Sequence, residues 1–372
     1  MVGEVATFMA QGWLVLAITE DSALWVGIAS GVRGAGHIGF GLAGGVLADR
    51  LKRQSVIIII SVLRAGLFAV LAILVVNGKI QLWHVMVAVF IQGSVDGLVA
   101  PSFNGLIYDT VSSKRLMNAI AYIQASHHIS WAVGSILTGH LLNTLGIGSA
   151  YALALVSCLL GIVPLKLMNV SNATQAREET IIVNVVQGIQ YVVKNRSLRM
   201  LLILSVLTEA FGFSYLVMLP VIAKMVLSVG PTGLGYLSAA GSIGSLIGAA
   251  AVTGLSDVKD KWKMLSLGTL SAGVSILLFA LSPWYALSLI LAACIGFSLV
   301  TYDTAINTLF QTLSSDSMRG RVLGIYGMTW GFTPLGGFAI GAIASIIGAS
   351  FAVGFGAVII LAYTLGVITR KA

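Results

Sequence analysis

Charge is scarce in this sequence. Asp, Glu, Lys and Arg together make up 9% of its 372 residues, against about 25% in a soluble domain. So few charges cannot clothe a water-facing surface, and 58% hydrophobic residues with a mean hydropathy of +0.99 place the chain in a bilayer. Cysteine is limited to Cys158 and Cys294. Both fall in apolar runs, where they act as small apolar residues, so neither a disulfide nor a thiolate metal centre is expected. There is no G-x-x-x-x-G-K-[ST] loop, so ATP is not the direct fuel, and no G-x-S-x-G or H-E-x-x-H segment to support an intramembrane hydrolase. The short alternating segments of a membrane barrel are missing, and no cleavable signal precedes the first apolar run. No enzyme activity, metal or cofactor is expected.

What the chain has instead is a series of long apolar runs rich in Gly and Ala, each near the roughly 20 residues that a membrane helix needs. Twelve spans are expected, near 1–19, 22–48, 54–76, 80–109, 116–142, 147–168, 199–228, 232–254, 264–282, 285–313, 321–346 and 350–369. The net charge of +8 could suggest a nucleic-acid partner, but its placement argues otherwise. Seventeen of the 21 basic residues fall in alternate loops and at the C-terminus, and the opposite loops hold only Lys79 and Lys224. By the positive-inside rule the basic loops are cytoplasmic, which puts both termini inside and accounts for the charge without nucleic acid.

A connector at 169–198 divides the chain into a six-span half at 1–168 and another at 199–372. It contains NVVQGIQYVVK, whose Val185, Ile189, Val192 and Val193 recur at helical spacing and predict an interfacial amphipathic helix. Residues 109–139 align without a gap on 311–341 and match at Thr110, Ser112, Ser113, Ile123, Gly134 and Gly139. Both segments run from the end of a half's fourth span through its fifth, as a duplicated half would place them. The segment GGVLADRLKR at 44–53 has a decayed counterpart at 254–261, again between the second and third spans of a half.

Gly45, Leu47, Ala48, Asp49, Arg50 and Arg53 resemble the loop between spans two and three of the major facilitator superfamily. AQGWLVLAIT at 10–19, GIQYVVKNRSLRMLL at 188–202, LPVIAK at 219–224 and RGRVLGIYGMTWGFTPLGG at 319–337 are similar to the branch of that superfamily that contains bacterial enterobactin and macrolide exporters. The resemblance implies an all-α membrane protein with the major facilitator fold, twelve helices in two halves that rock around a central cavity. It also implies proton-driven export of small amphiphilic compounds (a drug, macrolide or siderophore) by a monomer in a bacterial-type cytoplasmic membrane. The likeness has two departures. The first span is shortened, with Met1 nine residues ahead of Ala10, and span five has Gly134-Ser135 where many antiporters have a Gly-Pro pair, although span eleven keeps Pro334. In the family the loop at 44–53 acts as a gate, which points to Gly45, Asp49, Arg50, Arg53 and, in the second copy, Asp257; a topogenic anchor is the plainer alternative.

Four of the thirteen acidic residues lie inside spans: Glu4, Asp96, Glu209 and Asp303, in spans one, four, seven and ten. By resemblance those four helices line the cavity. An intramembrane acid costs roughly 2.5–3.5 kcal/mol on insertion scales, so it faces water, a partner or a proton. Asp303, Asn307 and Gln311 form one polar stripe, Gln92, Asp96 and Asn104 another, and Phe213 lies one turn beyond Glu209. Asp96 and Glu209 are the leading candidates for proton coupling; pairing with Arg33 or Arg64 is the structural alternative. His127 and His128 suit either a proton relay or simple packing. A transport-inactive sensor or scaffold derived from such a transporter is the competing function.

Overall fold

The computed structural model describes residues 1–112, 115–168, 181–254 and 260–369, with the backbone alone at 42, 45–50, 108, 117, 181–184, 253 and 254. All regular structure in the described residues is helical: α1 (Val2–Ile18), α2 (Ala23–Arg50), α3 (Arg53–Val76), α4 (Leu82–Thr110), α5 (Leu116–Leu145), α6 (Ile147–Leu167), α7 (Ile181–Lys194), α8 (Arg196–Leu207), α9 (Tyr215–Val221), α10 (Pro231–Gly254), α11 (Lys261–Leu281), α12 (Tyr285–Leu313), α13 (Arg319–Thr329), α14 (Phe332–Ile347) and α15 (Ala349–Thr369). Among the described residues, nine helical stretches are long and apolar enough to cross a membrane. The other three expected spans coincide with α2, α5 and α1, the last being short at 17 residues. The amphipathic helix of the connector is α7, with Asn195 capping α8 behind it by accepting from the Ser197 and Leu198 amides.

Three expectations need correction. The segment at 44–53 is mostly helix rather than loop: α2 runs through Arg50 and only Leu51 and Lys52 separate it from α3, since Val46, Leu47, Ala48 and Arg50 offer no helix breaker. Span seven is not one regular helix. It is α8 and α9, with π turns at Thr208–Phe213 and Ile222–Val226. Span eleven keeps helical dihedrals throughout, but its hydrogen-bond ladder is interrupted at Trp330–Gly331, between α13 and α14, because Pro334 has no N–H to give the Trp330 carbonyl four residues back.

Missing side chains set the helix packing. A Cβ on Gly93 of α4 would lie 1.9 Å from the Arg33 carbonyl oxygen of α2, and in the second half a Cβ on Gly296 of α12 would lie 1.9 Å from the Gly241 carbonyl oxygen of α10. Such approach is how membrane helices gain dispersion contacts without a hydrophobic drive. The aligned glycines of the internal repeat also hold equivalent places. Gly139 of α5 meets Pro231 and Gly235 of α10, as Gly341 of α14 meets Ala23 and Gly27 of α2; Gly134 packs on α1, as Gly336 packs on Ala210 in the first π turn.

The two seams between halves, α2 with α14 and α5 with α10, close the face away from the basic loops. There Asp21 pairs with Lys224, whose ammonium lies 5.8 Å from the centre of the Trp13 ring. Toward the basic face the halves part. Span eleven continues as α13, which packs mainly on α7, α8 and α12; a Cβ on Gly39 or Gly41 of α2 would meet nothing, and Tyr122 of α5 is 75% exposed. Among the described residues, the contacts between the halves thus concentrate away from the basic loops.

Gly93→Ala, which drives a methyl into a backbone carbonyl, is expected to destabilise the protein by about 1–3 kcal/mol. Gly66→Ala, whose Cβ meets nothing, serves as the control in thermal melts of purified protein; equal melting points would contradict this packing. Lys224→Gln removes a half-exposed ion pair worth about 0.2–1 kcal/mol. It should raise labelling of a cysteine at Ser30 from the closed side by at most about fivefold, in a background without Cys158 and Cys294.

Candidate functional site

The close contact of α2 with α4 places Arg33 beside Asp96. Asp96 Oδ2 accepts hydrogen bonds from Arg33 Nε at 3.3 Å and Nη2 at 2.8 Å, and Oδ1 accepts from Arg64 Nη2. Arg64 Nη1 lies 3.8 Å from Glu4 Oε1. Both carboxylate oxygens of Asp96 are therefore committed to guanidinium groups, and the two arginines are its ion-pair partners. Gln92, one turn away on α4, is buried, whereas Asn104 is exposed near the basic end. His127 and His128 stand with ring centres 5.7 Å apart, and His127 lies 5.5 Å from Trp131. Trp131 Nε1 donates to Ser238 Oγ at 3.0 Å across the α5–α10 seam.

The second half handles its acids differently. Glu209 sits in the first π turn, 4% exposed, and Oε2 accepts from the Thr333 hydroxyl at 2.5 Å. Asp303 accepts from the Tyr326 hydroxyl, and Ser205 and Thr329 share a hydrogen bond at 2.7 Å. Neither Glu209 nor Asp303 has a Lys, Arg or His partner among the described residues. Their hydroxyl donors come from span eleven on both sides of its break, Tyr326 before Trp330–Gly331 and Thr333 after it. Tyr302 Oη and Thr208 Oγ1 are buried close by without a hydrogen-bond partner. Further along α12, Gln311 Nε2 donates to Asn307 Oδ1 at 2.6 Å, while Asp303 turns to Tyr326. Phe213 is half-buried between the two main apolar clusters.

Where the halves meet at mid-depth, α1, α2 and α9 enclose a cleft of about 380 Å³ including its mouth, lined by Phe8, Gln11, Ser30, Arg33, Val217 and Pro220 among others. Sequence reasoning missed Gln11, Ser30, Tyr326 and Thr333. Gln11 lay in a stretch read only for its resemblance, and a Tyr, Ser or Thr hydroxyl in a membrane helix carries no sign of which acid it will meet.

Of the expected gating residues, Arg53 donates from Nη1 to both oxygens of Asp109 at 2.8 Å, over Gly105, where a Cβ would crowd the guanidinium at 2.5 Å. This ties α3 to α4 within one half. Gly45, Asp49 and Arg50 fall in the last turns of α2, where the backbone alone is described, and Asp257 lies outside the described residues.

Over 333 residues the chain is 21% identical to the macrolide efflux protein A of Streptococcus pyogenes, a match spanning 88% of this chain and 82% of that one. Over 339 residues it is 27% identical to the enterobactin exporter EntS of Escherichia coli O1:K1, spanning 88% and 79%. Among solved structures it resembles a POT family transporter in complex with 5-aminolevulinic acid, with a TM-score of 0.78 and 13% identity over 99% of this chain and 93% of that one. It also resembles a bacterial homologue of the human lysosomal transporter Spinster in an inward-facing, unoccupied conformation, with a TM-score of 0.70 and 12% identity over 99% and 93%. At such identities these structural likenesses speak for the fold alone. The sequence model described as the Major Facilitator Superfamily matches residues 2–336 and again 227–371. With glycine-sutured helices in repeated order and a cleft between two halves, this multi-pass membrane protein belongs to the Major Facilitator Superfamily.

Proposed function

We propose that this transporter is a proton-coupled exporter of small amphiphilic compounds, a drug, macrolide or siderophore, and that residues 1–168 and 199–372 rock about the connector at 169–198. The positive-inside rule puts the basic face in the cytoplasm with both termini, in a bacterial-type cytoplasmic membrane, and makes the present state inward-open. The protein works as a monomer. The names of the relatives, a macrolide efflux protein and an enterobactin exporter, support the direction and the substrate class.

One observation supports the coupling: among the described residues Glu209 and Asp303 have no cation partner, and they are held by hydroxyls that flank the interruption in span eleven. A carboxylate without a cation can be neutralised by one proton, and losing that charge changes what Tyr326 and Thr333 are hydrogen-bonded to. The break then offers the place where α13 and α14 reorient. Asp96, bound on both oxygens by Arg33 and Arg64, serves instead to hold the first half together. One proton crossing 100 mV supplies about 2.3 kcal/mol, enough for a substrate gradient of roughly fiftyfold.

In everted vesicles, Glu209→Gln is expected to abolish the pH dependence of macrolide or dye efflux while leaving insertion intact, with Asp303→Asn weakening it. Efflux that keeps its pH dependence in both variants, or that ignores a protonophore in the wild type, would remove proton coupling from these residues. Asp96→Asn should act on stability. Breaking a fully buried ion pair costs about 3–5 kcal/mol, and with the Asp96 side chain 24% exposed the loss is a smaller share of that, read as a lowered melting temperature.

A further inference from the structure

Gln11 presents an unexplained cost. Its residue is only 9% exposed, it lines the cleft between the halves, and its Oε1 has no hydrogen-bond partner. A buried amide oxygen left unpaired is unfavourable by about the strength of the bond it lacks. That oxygen is the sealed end of the amide, and the end that the cleft reaches is Nε2 with its two N–H donors. On the facing wall stands Arg33, which uses Nε and Nη2 on Asp96 and still lines the cleft. A guanidinium has five donors in a planar fork, so part of the fork remains for a ligand.

The charges around the cleft are of one kind. No carboxylate lines it. The single carboxylate of Asp96 is shared between Arg33 and Arg64, and Glu4 reaches Arg64 only at 3.8 Å with its own side chain 47% exposed. Glu209 and Asp303 belong to the separate hydroxyl cluster of the second half. Ser30 donates its hydroxyl to the Pro334 carbonyl at 3.1 Å, so it offers the cleft only acceptor lone pairs. The remaining wall is apolar, from Phe8, Val26, Val217 and Pro220. Beyond it α1 and α9 touch so closely that a Cβ on Gly12 would strike Pro220 at 2.6 Å.

We propose that this cleft is an oxyanion subsite: it seats a carboxylate or ionised phenol between the Gln11 amide and the free edge of Arg33, with the apolar body of the same molecule against Phe8, Val217 and Pro220. This rests on the transport reading and narrows its substrate class to amphiphiles that carry one anionic end. The site selects against a cationic end, which would face a guanidinium in a medium too poor in water to screen it.

Fluorescein and rhodamine 6G share one ring system and differ in charge, so the pair tests the assignment. Binding to the purified full-length protein in nanodiscs is followed by fluorescence anisotropy, with no gradient present. Fluorescein is expected to bind at least about tenfold more tightly than rhodamine 6G, and Gln11→Leu to weaken fluorescein about tenfold, the effect of losing one charge-assisted hydrogen bond. Arg33→Gln alone leaves Asp96 with Arg64 as its one cation and can destabilise the protein. The double variant Arg33→Gln/Asp96→Asn removes cation and acid together and is expected to abolish the preference for the anionic dye. Equal binding of the two dyes by the wild type, or unchanged fluorescein binding in both Gln11→Leu and the double variant, would overturn the subsite. Fluorescein binding lost in Gln11→Leu, with no efflux of any compound from vesicles, would uphold the subsite and sink the exporter reading.

Discussion

At Gly93 the absence of a side chain lets α4 lie against the carbonyl oxygen of Arg33, and the first half is arranged around that contact. It sets the register of α2 on α4, and the register brings the Arg33 guanidinium to Asp96 one turn further along. Arg64 completes the arrangement from α3. In a bilayer these charges have no water to fall back on, so helix spacing and charge compensation are one constraint: widen the contact by the size of a side chain and the ion pair loses its geometry. Gly296 against Gly241 repeats the contact in the second half, but there the position equivalent to Arg33 is a glycine, and among the described residues no cation meets Glu209 or Asp303.

That difference divides the labour of the molecule. The first half has a charge cluster closed on itself, and Arg33 of that cluster lines the cleft. The second half has two acids supported only by hydroxyls, next to a π turn in span seven and a break in span eleven. Irregular backbone inside a membrane is tolerated where it is buried in protein or lines a cavity, and π turns recur at functional positions. Here the wide turn carries Glu209 and receives Gly336 of α14 against the Ala210 backbone. A change of charge at Glu209 is thereby felt by the span that also forms half of the α2–α14 seam. The seam lies toward the far face, with Asp21 and Lys224 at its rim.

Much of the fold was legible in the sequence. The apolar runs marked the helices, and the in-register glycines at 134/336 and 139/341 marked positions that pack in equivalent ways. The amphipathic spacing from Val185 to Val193 marked α7. Less legible were the interruptions. Pro334 signals a break four residues ahead of it, but nothing local distinguishes Thr208–Phe213 as a π turn, because that turn is stabilised by what packs on it. Likewise the segment ending at Arg50 looks like a loop by charge and is helix by propensity.

The sequence by itself determined that four acids sit at membrane depth and must be explained, since insertion energetics depend only on residue type and depth. Only the tertiary structure decided how each is satisfied. Asp96 meets Arg33 across 63 residues of chain and Arg64 across 32, while Glu209 meets Thr333 across 124. Helical periodicity assigns a residue to a face; which residue comes to that face depends on how other helices approach, and the approach is governed by glycines far away in sequence. Gln11 shows the limit most plainly. Its identity was visible from the start, but its unpaired oxygen and its place opposite Arg33 exist only once α1, α2 and α9 have closed around the same space.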